Sequence, residues 1–165
     1  TLHAQWEKNW QEIVDAHPDA LKEMEDTHAL TMHDIVILAS IVERETNYEP
    51  ELGLVARVFL NRLEKDMRLQ TDPTCVYGEE TYDKIPAPKY CKNKLNRYST
   101  YMIDGLPPGP ISNPGKAALQ ASLIPTKGKD AERYLFFVAR RDGTGAHHFT
   151  KTFKEHKQAI KKYLK

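Results

Sequence analysis

One stretch of helical pattern constrains this chain more than any other, because it is apolar and yet carries two carboxylates. A capping box opens it, with Thr31 as the N-cap and Asp34 at position N3. Apolar residues then recur at helical spacing, which predicts a helix over about residues 32–46. These residues are Ile35, Val36, Leu38, Ala39 and Val42. Only Ser40 and Arg44 form a clearly polar face of this helix.

The two carboxylates, Glu43 and Glu45, both fall on the apolar arc of the predicted helix. Burial disfavours the charged form of a carboxyl and raises its pKa, which suits a general acid near neutral pH. The helix therefore points to acid–base chemistry, with cleavage of a glycosidic bond as the leading candidate. The alternative is a structural glutamate that is paired with an arginine or lies at a frayed helix end. The periodicity does not choose between the two glutamates.

Length and charge narrow the classes of protein. The chain has 165 residues, which suits one domain, or one domain with a helical preface. Its 24 Lys and Arg against 23 Asp and Glu argue against a nucleic-acid partner bound through bulk charge. No stretch has the roughly 20 apolar residues of a membrane span, and no signal peptide is recognisable. The pattern begins within a helix, so we expect an excised domain.

Neither a metal nor a cofactor is predicted, because no His, Asp, Glu or Cys cluster has ligand spacing and no phosphate-binding glycine-rich loop is present. Cys75 and Cys91 are the only cysteines, and both lie in a loop-rich stretch. They either form a disulfide, if the domain works in an oxidising compartment, or are two unrelated thiols.

Helices account for most of the remaining pattern. Residues 1–30 are charged and mostly helical, with an interruption at Pro18. Pro50 suits the first turn of a helix that extends to about residue 66. Asn113 and Pro114 predict the start of a helix that ends before Pro125. A second capping box, Thr152 to Glu155, predicts a terminal helix to about residue 164.

The other segments predict a long loop and a hairpin. Residues 68–114 lose periodicity but keep many aromatic and apolar anchors, which indicates a folded binding loop with a short helix around 80–84 or 91–96. Residues 134–139 predict a buried strand, residues 142–145 a hairpin turn, and residues 146–149 the returning strand. The fold class is therefore α+β, a mainly helical body with a small antiparallel sheet.

Two polar motifs could contact a ligand. Gln70, Thr71 and Asp72 follow a helix and offer donors and acceptors suited to sugar hydroxyls or amides, although the same run also suits an Asx-type turn before Pro73. His147 and its neighbour at 148 could supply a catalytic histidine, but a histidine at a strand end is more often structural or solvated.

Taken together and in order, these motifs resemble the endolytic murein transglycosylase (YceG-like) family. The matching pieces are residues 38–46, 59–63, 67–74, 98–101, 105–115 and 145–156. The resemblance covers about residues 30–165, so that 1–30 would be a helical N-terminal segment of the same domain and 31–165 the YceG-like catalytic domain. It also implies that the helical body is lysozyme-like.

The resemblance implies a role for particular residues. Glu43 aligns with the catalytic glutamate of the family. The polar residues that align with its cleft are Glu45, Gln70, Thr71 and Asp72. The residues that align with its Tyr-Asn-Thr-Tyr signature, and hence with substrate binding, are Tyr98, Ser99, Thr100 and Tyr101. Ser99 replaces the amide of that signature, and Ala146 stands where a second glycine is usual.

The resemblance also implies a reaction. The substrate would be peptidoglycan glycan strands, cut between N-acetylmuramic acid and N-acetylglucosamine to leave 1,6-anhydro ends, with Glu43 acting first as acid and then as base. Proteins of this family face the cell-wall side of the bacterial membrane through an N-terminal anchor, and cell-wall synthesis proteins are expected partners. That location favours the disulfide. The alternatives are a hydrolytic muramidase that uses Asp72 or Glu45 as a second carboxylate, and a non-catalytic wall-binding module.

Overall fold

The structure, a computed structural model, describes residues 2–78 and 84–164. The helices are α1 Leu2–Ala16, α2 Ala20–His28, α3 Met32–Glu45, α4 Leu52–Leu63, α5 Asp72–Cys75, α6 Pro88–Cys91, α7 Lys116–Leu123 and α8 Phe153–Tyr163. Single 3-10 turns lie at Glu49–Glu51 and Ala131–Arg133. Strands β1 Phe136–Ala139 and β2 His147–Thr150 pair antiparallel, with Phe137 opposite Phe149. The predicted α+β class, mainly helical with a small antiparallel sheet, is confirmed.

Helix α3 lies at the centre of the core, where it packs against α4 and α7. Its capping box is present as predicted, with the Thr31 side chain accepting from the Asp34 backbone and the reciprocal bond in place. Leu38 and Ile41 are completely buried and share a cluster with Phe59 of α4. Burying each such side chain stabilises the fold by about 1.5–3 kcal/mol. This packing therefore holds α3 in place nearly as far as its last turn.

The N-terminal helices belong to the same core. Trp10 of α1 and Met24 of α2 are buried in a second cluster with Leu60 of α4 and Leu119 of α7. The prediction of a mostly helical segment over residues 1–30 is confirmed, and the chain turns at Pro18 between α1 and α2. None of the helices within the described ranges combines the length and the apolar character that crossing a bilayer requires.

The predicted polar face of α3 is wrong at Ser40, which is completely buried. Its hydroxyl donates to the Ile37 carbonyl at 2.7 Å and accepts from the Ile111 backbone N–H at 2.9 Å. Ser112 donates to the Ser40 carbonyl at 2.9 Å. A buried hydroxyl is tolerated when its hydrogen bonds are made, and here it fastens the turn-rich segment 105–115 onto the helix. Arg44, by contrast, is exposed as predicted.

Two predicted boundaries shift. Helix α7 begins at Lys116 rather than near Asn113, because residues 113–115 stay extended and Gly115 is the N-cap. Strand β1 begins at Phe136 rather than residue 134, and of its four residues only Val138 is buried. A two-stranded sheet covers little surface, so its remaining side chains are partly exposed and available to line a cleft.

The predicted binding loop is folded and cross-linked. A disulfide joins Cys75 at the end of α5 to Cys91 at the end of α6, with Cα atoms 4.6 Å apart. Of the two positions predicted for a short helix, 80–84 lies mostly outside the described residues. The other, 91–96, is wrong, because α6 ends at Cys91. Beyond it, the Asn93 side chain accepts a hydrogen bond from the Leu95 backbone N–H, which forms a turn and not a helix.

Candidate active-site cleft

A cavity of about 310 Å³ opens where the last turn of α3 meets α5, β1 and α8, and we call it the Glu45 cavity. Its polar lining consists of Glu45, Arg62, Gln70, Thr71, Asp72 and Tyr101. Its aromatic lining from the sheet and α8 consists of Phe136, Phe137, Phe153 and His156, and Phe59 and Leu69 complete the wall. Four of the predicted cleft residues, from positions 45 and 70–72, are therefore brought together.

Glu45 is the last residue of α3, and Thr46 after it is extended. Burial, reinforced by the negative charge of Asp72, raises the pKa of Glu45 to about 7, while Thr71 and the Arg62 guanidinium oppose the rise. The Thr71 hydroxyl is near enough to lower this pKa, but it makes no hydrogen bond of standard geometry to any described residue. A carboxyl with this pKa can donate a proton near neutral pH and later accept one.

Asp72 and Tyr101 form a hydrogen-bonded pair beside Glu45. The Tyr101 hydroxyl donates to Asp72 Oδ1 at 2.6 Å. Burial, followed by this hydrogen bond and the charge of Asp72, raises the pKa of Tyr101 well above its usual range. The phenol therefore remains a donor, and the Asp72 carboxyl lines the same cavity as Glu45.

Gln70 and Thr71 are held by the backbone of the loop. Gln70 has a left-handed backbone, with φ of 51°, and its N–H donates to the Thr100 carbonyl at 3.2 Å. The Thr71 N–H donates to the Thr100 hydroxyl at 3.0 Å. A left-handed non-glycine residue persists only where its surroundings hold it, so these contacts aim the exposed Gln70 side chain at the cavity.

Arg62 is a site residue to which the sequence analysis assigned no role. Its Nε donates to the Leu135 carbonyl at 2.7 Å, and its Nη1 donates to the carbonyls of Arg68 and Leu69 at 3.1 and 2.8 Å. It thus ties α4, β1 and the loop together under the cavity and places a positive charge near Glu45. The available signal was an arginine within the buried pattern of α4, where such a residue is rarely buried without partners.

Tyr98, Ser99 and Thr100 support the loop and do not line the Glu45 cavity. Ser99 and Thr100 are completely buried, and the Ser99 hydroxyl donates to the Cys91 carbonyl at 2.6 Å. The Tyr98 ring packs edge-on against Tyr77 at 4.8 Å. Both side chains therefore lie behind the surface of the loop, and their role in substrate binding stays a prediction. Of the four-residue signature, only Tyr101 reaches the cavity.

Glu43 lies in a different place from Glu45. Its Oε2 accepts from the Gly115 N–H at 3.2 Å, and it lines a separate cavity of about 280 Å³ with Asn47, Glu49 and Lys116. Residues two apart on a helix diverge by about 200°, so α3 cannot present both glutamates to one cleft. The sequence pattern concealed this separation because α3 is apolar on nearly every side.

The histidine pair near the hairpin also lies outside the Glu45 cavity. His147 Nδ1 is 3.0 Å from Glu51 Oε2, and the same carboxylate accepts from the His147 backbone N–H. His148 packs against Tyr163 of α8. His147 is thus a structural residue that fastens β2 to the turn before α4. The histidine that does line the cavity, His156, was missed because only tertiary packing brings α8 to α3.

One group of potential metal ligands occurs within residues 2–78 and 84–164, namely Asp72, Cys75 and Cys91. The two sulfurs are joined in the disulfide, so neither can be the thiolate that a metal requires.

Comparison with known proteins gives consistent results. A model of the YceG-like family matches residues 1–162. The endolytic murein transglycosylase of Bacillus subtilis (strain 168) is 38% identical over 137 residues, which cover 82% of this chain and 36% of that protein. The endolytic murein transglycosylase of Streptococcus pneumoniae (strain D39) is 32% identical over 114 residues, covering 67% of this chain and 20% of that protein.

A solved structure shows the same fold. The 2.6 Å crystal structure of a yceG-like protein from Listeria monocytogenes superposes with a TM-score of 0.73 at 36% sequence identity, over 88% of this chain and 44% of that one. The chain thus spans only about a third or less of the curated relatives it matches, 36% and 20% of their lengths.

Proposed function

Because the chain belongs to the YceG-like family, we propose that it is the catalytic part of an endolytic peptidoglycan lytic transglycosylase. It would cleave the bond between N-acetylmuramic acid and N-acetylglucosamine and leave 1,6-anhydro ends. The observation that carries this proposal is the Glu45 carboxyl, whose pKa is raised to about 7 within a cavity lined by polar groups suited to sugars. The names of the relatives support the substrate class.

The catalytic acid and base in this proposal is Glu45. The family resemblance assigned that role to Glu43, which is the alternative assignment. Geometry favours Glu45, because it shares its cavity with Asp72, Gln70 and Tyr101, whereas Glu43 faces Gly115 and Lys116. Burial and a neighbouring negative charge are the two causes that keep a carboxyl protonated near neutral pH, and both act on Glu45.

The reaction requires Glu45 to act first as a protonated carboxyl and then as an ionised carboxylate. Protonated Glu45 donates its proton to the glycosidic oxygen as the bond from C1 of the muramic acid breaks. The Glu45 carboxylate then accepts the proton of the C6 hydroxyl of the same sugar, and that oxygen attacks C1. The attacking group is already part of the substrate, so proximity replaces a bound water. Atoms balance without water, and Glu45 ends protonated.

Asp72 would stabilise the positive charge that develops at C1, since its carboxylate lines the same cavity. Gln70 would orient the sugar hydroxyls and acetamido groups, whereas the Thr71 hydroxyl is buried and would act on the Glu45 carboxyl. The presence of this second carboxylate also supports a second candidate, a hydrolytic muramidase in which Asp72 activates water or forms a covalent intermediate. The two candidates differ in their products.

Mass spectrometry of the products tests both candidates and the assignment. The chain and its Glu45→Gln and Glu43→Gln variants are incubated with uncrosslinked peptidoglycan strands. Anhydro-ended fragments from the wild type and from Glu43→Gln, but not from Glu45→Gln, would support the proposal. Hydrated ends would favour the muramidase. Loss of products only in Glu43→Gln would restore the family-based assignment, and binding without any products would indicate a wall-binding module.

We further propose, from the family resemblance, that the activity is exerted at the extracytoplasmic face of the bacterial membrane, through an N-terminal anchor and with cell-wall synthesis proteins as partners. Residues 1–30 are proposed to be part of the catalytic unit, since Trp10 and Met24 are buried against α4 and α7 and the family model covers them. The disulfide between Cys75 and Cys91 suits an oxidising compartment.

A further inference from the structure

One side of the Glu45 cavity is aromatic, and its side chains have no role in the proposed reaction. Phe136 of β1 and Phe153 and His156 of α8 line it, and we call these three residues the aromatic wall. The Phe136 ring is 5.9 Å from Phe153 and 5.1 Å from His156 between centroids, and the planes of Phe136 and His156 differ by 21°. Three rings thus form a continuous surface within one cavity.

Phe153 is the exposed member of this wall. Its relative exposure is 59%, although it is the first residue of an ordered helix. A single exposed apolar residue is ordinary on a protein surface, but Phe153 lies beside two other rings at the cavity that holds Glu45. Exposed aromatic groups beside polar groups at a cleft are typical of ligand recognition.

The capping box of α8 sets the position of the wall. The Thr152 hydroxyl accepts from the Glu155 N–H at 3.2 Å, and Glu155 accepts from the Thr152 N–H at 3.0 Å. These bonds fix the first turn of the helix. Phe153 and His156 are three residues apart, so they share one face of that turn.

His156 contributes an uncharged ring. Burial, and then the positive charge of Arg62, lowers its pKa below the usual value. Its Nδ1 is buried and has no hydrogen-bond partner among the residues that the structure describes, unlike Nδ1 of His147, which pairs with Glu51. The neutral imidazole packs nearly parallel to the Phe136 ring and lies 6.4 Å from the Phe153 ring, with planes that differ by 39°.

Two cations lie at the wall. The Arg62 guanidinium is 5.1 Å from the centroid of the Phe136 ring, and the exposed cation is Lys157. Lys157 Nζ is 5.2 Å from the centroid of the Phe153 ring. Such contacts are weak at exposed sites, so the cation does not prevent another group from stacking. Peptidoglycan stem peptides are acidic, and Lys157 therefore provides a second, purely electrostatic route by which this region could attract the strand. The two routes can be separated by mutation.

From these observations we propose that the aromatic wall is a sugar-binding subsite, in which Phe153 and His156 stack against the apolar C–H face of one sugar ring of the glycan strand. The subsite deepens the proposed function and rests on it. One face of a sugar ring presents C–H groups, and these pack against an exposed aromatic face by apolar contact. It would hold the strand while the polar side of the cavity acts on the bond.

Binding is measured first, with the inactive Glu45→Gln protein and soluble uncrosslinked glycan strands, by titration calorimetry. We expect Phe153→Ala and Phe153→Leu each to weaken binding by about tenfold, because stacking on an aromatic ring is lost in both. Phe153→Leu keeps an apolar side chain at the position and thus isolates the aromatic face. Phe153→Trp should retain binding to within about twofold.

Two control variants distinguish the loss of ring stacking from other causes of weaker binding. Leu95→Ala removes an apolar side chain that is 89% exposed and lies outside the cavity, and it should leave binding unchanged. Lys157→Ala removes the charge but keeps the ring, and its effect should vanish at high salt. A thermal melt of each variant confirms that it is folded.

Kinetics on the Glu45-intact protein give the second readout. Phe153→Leu should raise KM by about tenfold and leave kcat nearly unchanged, as expected for binding lost equally in ground and transition states. Cleavage by the wild type with unchanged binding and KM in both Phe153 variants would overturn the subsite alone. If the wild type binds strands without cleaving them, and the Phe153 variants bind them more weakly, the transglycosylase proposal is overturned and the subsite is kept. Absence of both cleavage and binding would overturn both.

Discussion

The two sides of helix α3 each carry a glutamate next to a cavity, and the groups that surround the two carboxyls differ. Around Glu45 are a second carboxylate, a phenol and a buried guanidinium, and its pKa is raised to about 7. Around Glu43 are the Gly115 N–H, Lys116 and the carboxylate of Glu49. Residues two apart in sequence therefore differ in chemistry because they face different neighbours.

The largest expected effect is the contrast between the two matched variants. Glu45→Gln should lower the rate of strand cleavage by about 1000-fold or more, because removing a general acid and base costs about 100- to 10,000-fold. Glu43→Gln should remain within about fivefold of the wild type, since it loses only contacts away from the cavity. Initial rates from chromatographic product analysis measure both, and equal losses in the two variants would contradict the comparison.

The disulfide should matter to the Glu45 side through stability. Replacing both Cys75 and Cys91 by serine removes a cross-link with a sequence separation of 16 residues, and we expect about 3 kcal/mol less free energy of unfolding. Urea denaturation of oxidised wild type and the double variant measures the difference. The disulfide lies within the loop that contains Gln70 to Tyr101. A double variant as stable as the wild type would therefore show that hydrogen bonds alone hold this loop.

The raised pKa of Glu45 predicts a pH-dependent stability. The folded protein binds a proton at Glu45 up to pH about 7, above the ordinary value of 4.5, so this contribution is complete below pH 4.5 and is lost as the pH rises through 7. Glu45→Gln should therefore be more stable than the wild type at pH 8 by about 1–3 kcal/mol, with little difference at pH 4. Denaturant titrations at both pH values measure this difference.

The same titrations on Glu43→Gln provide the matched control. The comparison of the two sides would fail if Glu43→Gln gained as much stability at pH 8 as Glu45→Gln.

The smallest expected effect is a shift of the pH–rate profile when Asp72, which helps to raise the pKa of Glu45, is replaced. Asp72→Asn removes the negative charge that helps to raise the Glu45 pKa, so the alkaline limb of the pH–rate profile should move to lower pH by about one unit or less. The direction follows because Glu45 must be protonated to act as the acid. A limb that stays in place would mean that burial alone sets this pKa.

Much of the fold follows from local sequence. The capping boxes at Thr31 and Thr152 and the prolines near helix starts are local signals, and α3, α4 and α8 lie close to where the patterns predict them. Boundaries failed where a long-range contact decides them. Helix α7 begins late because Gly115 is held by Glu43, and Ser40 is buried because Ile111 reaches it from a distant segment.

The candidate site was predictable in part. Gln70, Thr71, Asp72 and Glu45 could be proposed from residue type and family resemblance, and the structure gathers them in one cavity. The contribution of α8 could not be proposed, because His156 and Phe153 come from a helix more than 100 residues beyond Glu45 in the chain. Neither Ser99 nor Thr100 could be recognised as buried supports, since their polar type suits a surface equally well.

By itself, the sequence determined that an apolar, capped helix carries two glutamates, and that a polar loop and a small hairpin follow it. Those features depend on periodicity and caps, which act between residues a few positions apart. Only the tertiary structure decided that Glu45 has a raised pKa and shares a cavity with Asp72. The pKa of a carboxyl depends on burial and on the charges within a few ångströms, and the neighbours that set it for Glu45 come from α4, the cross-linked loop and α5.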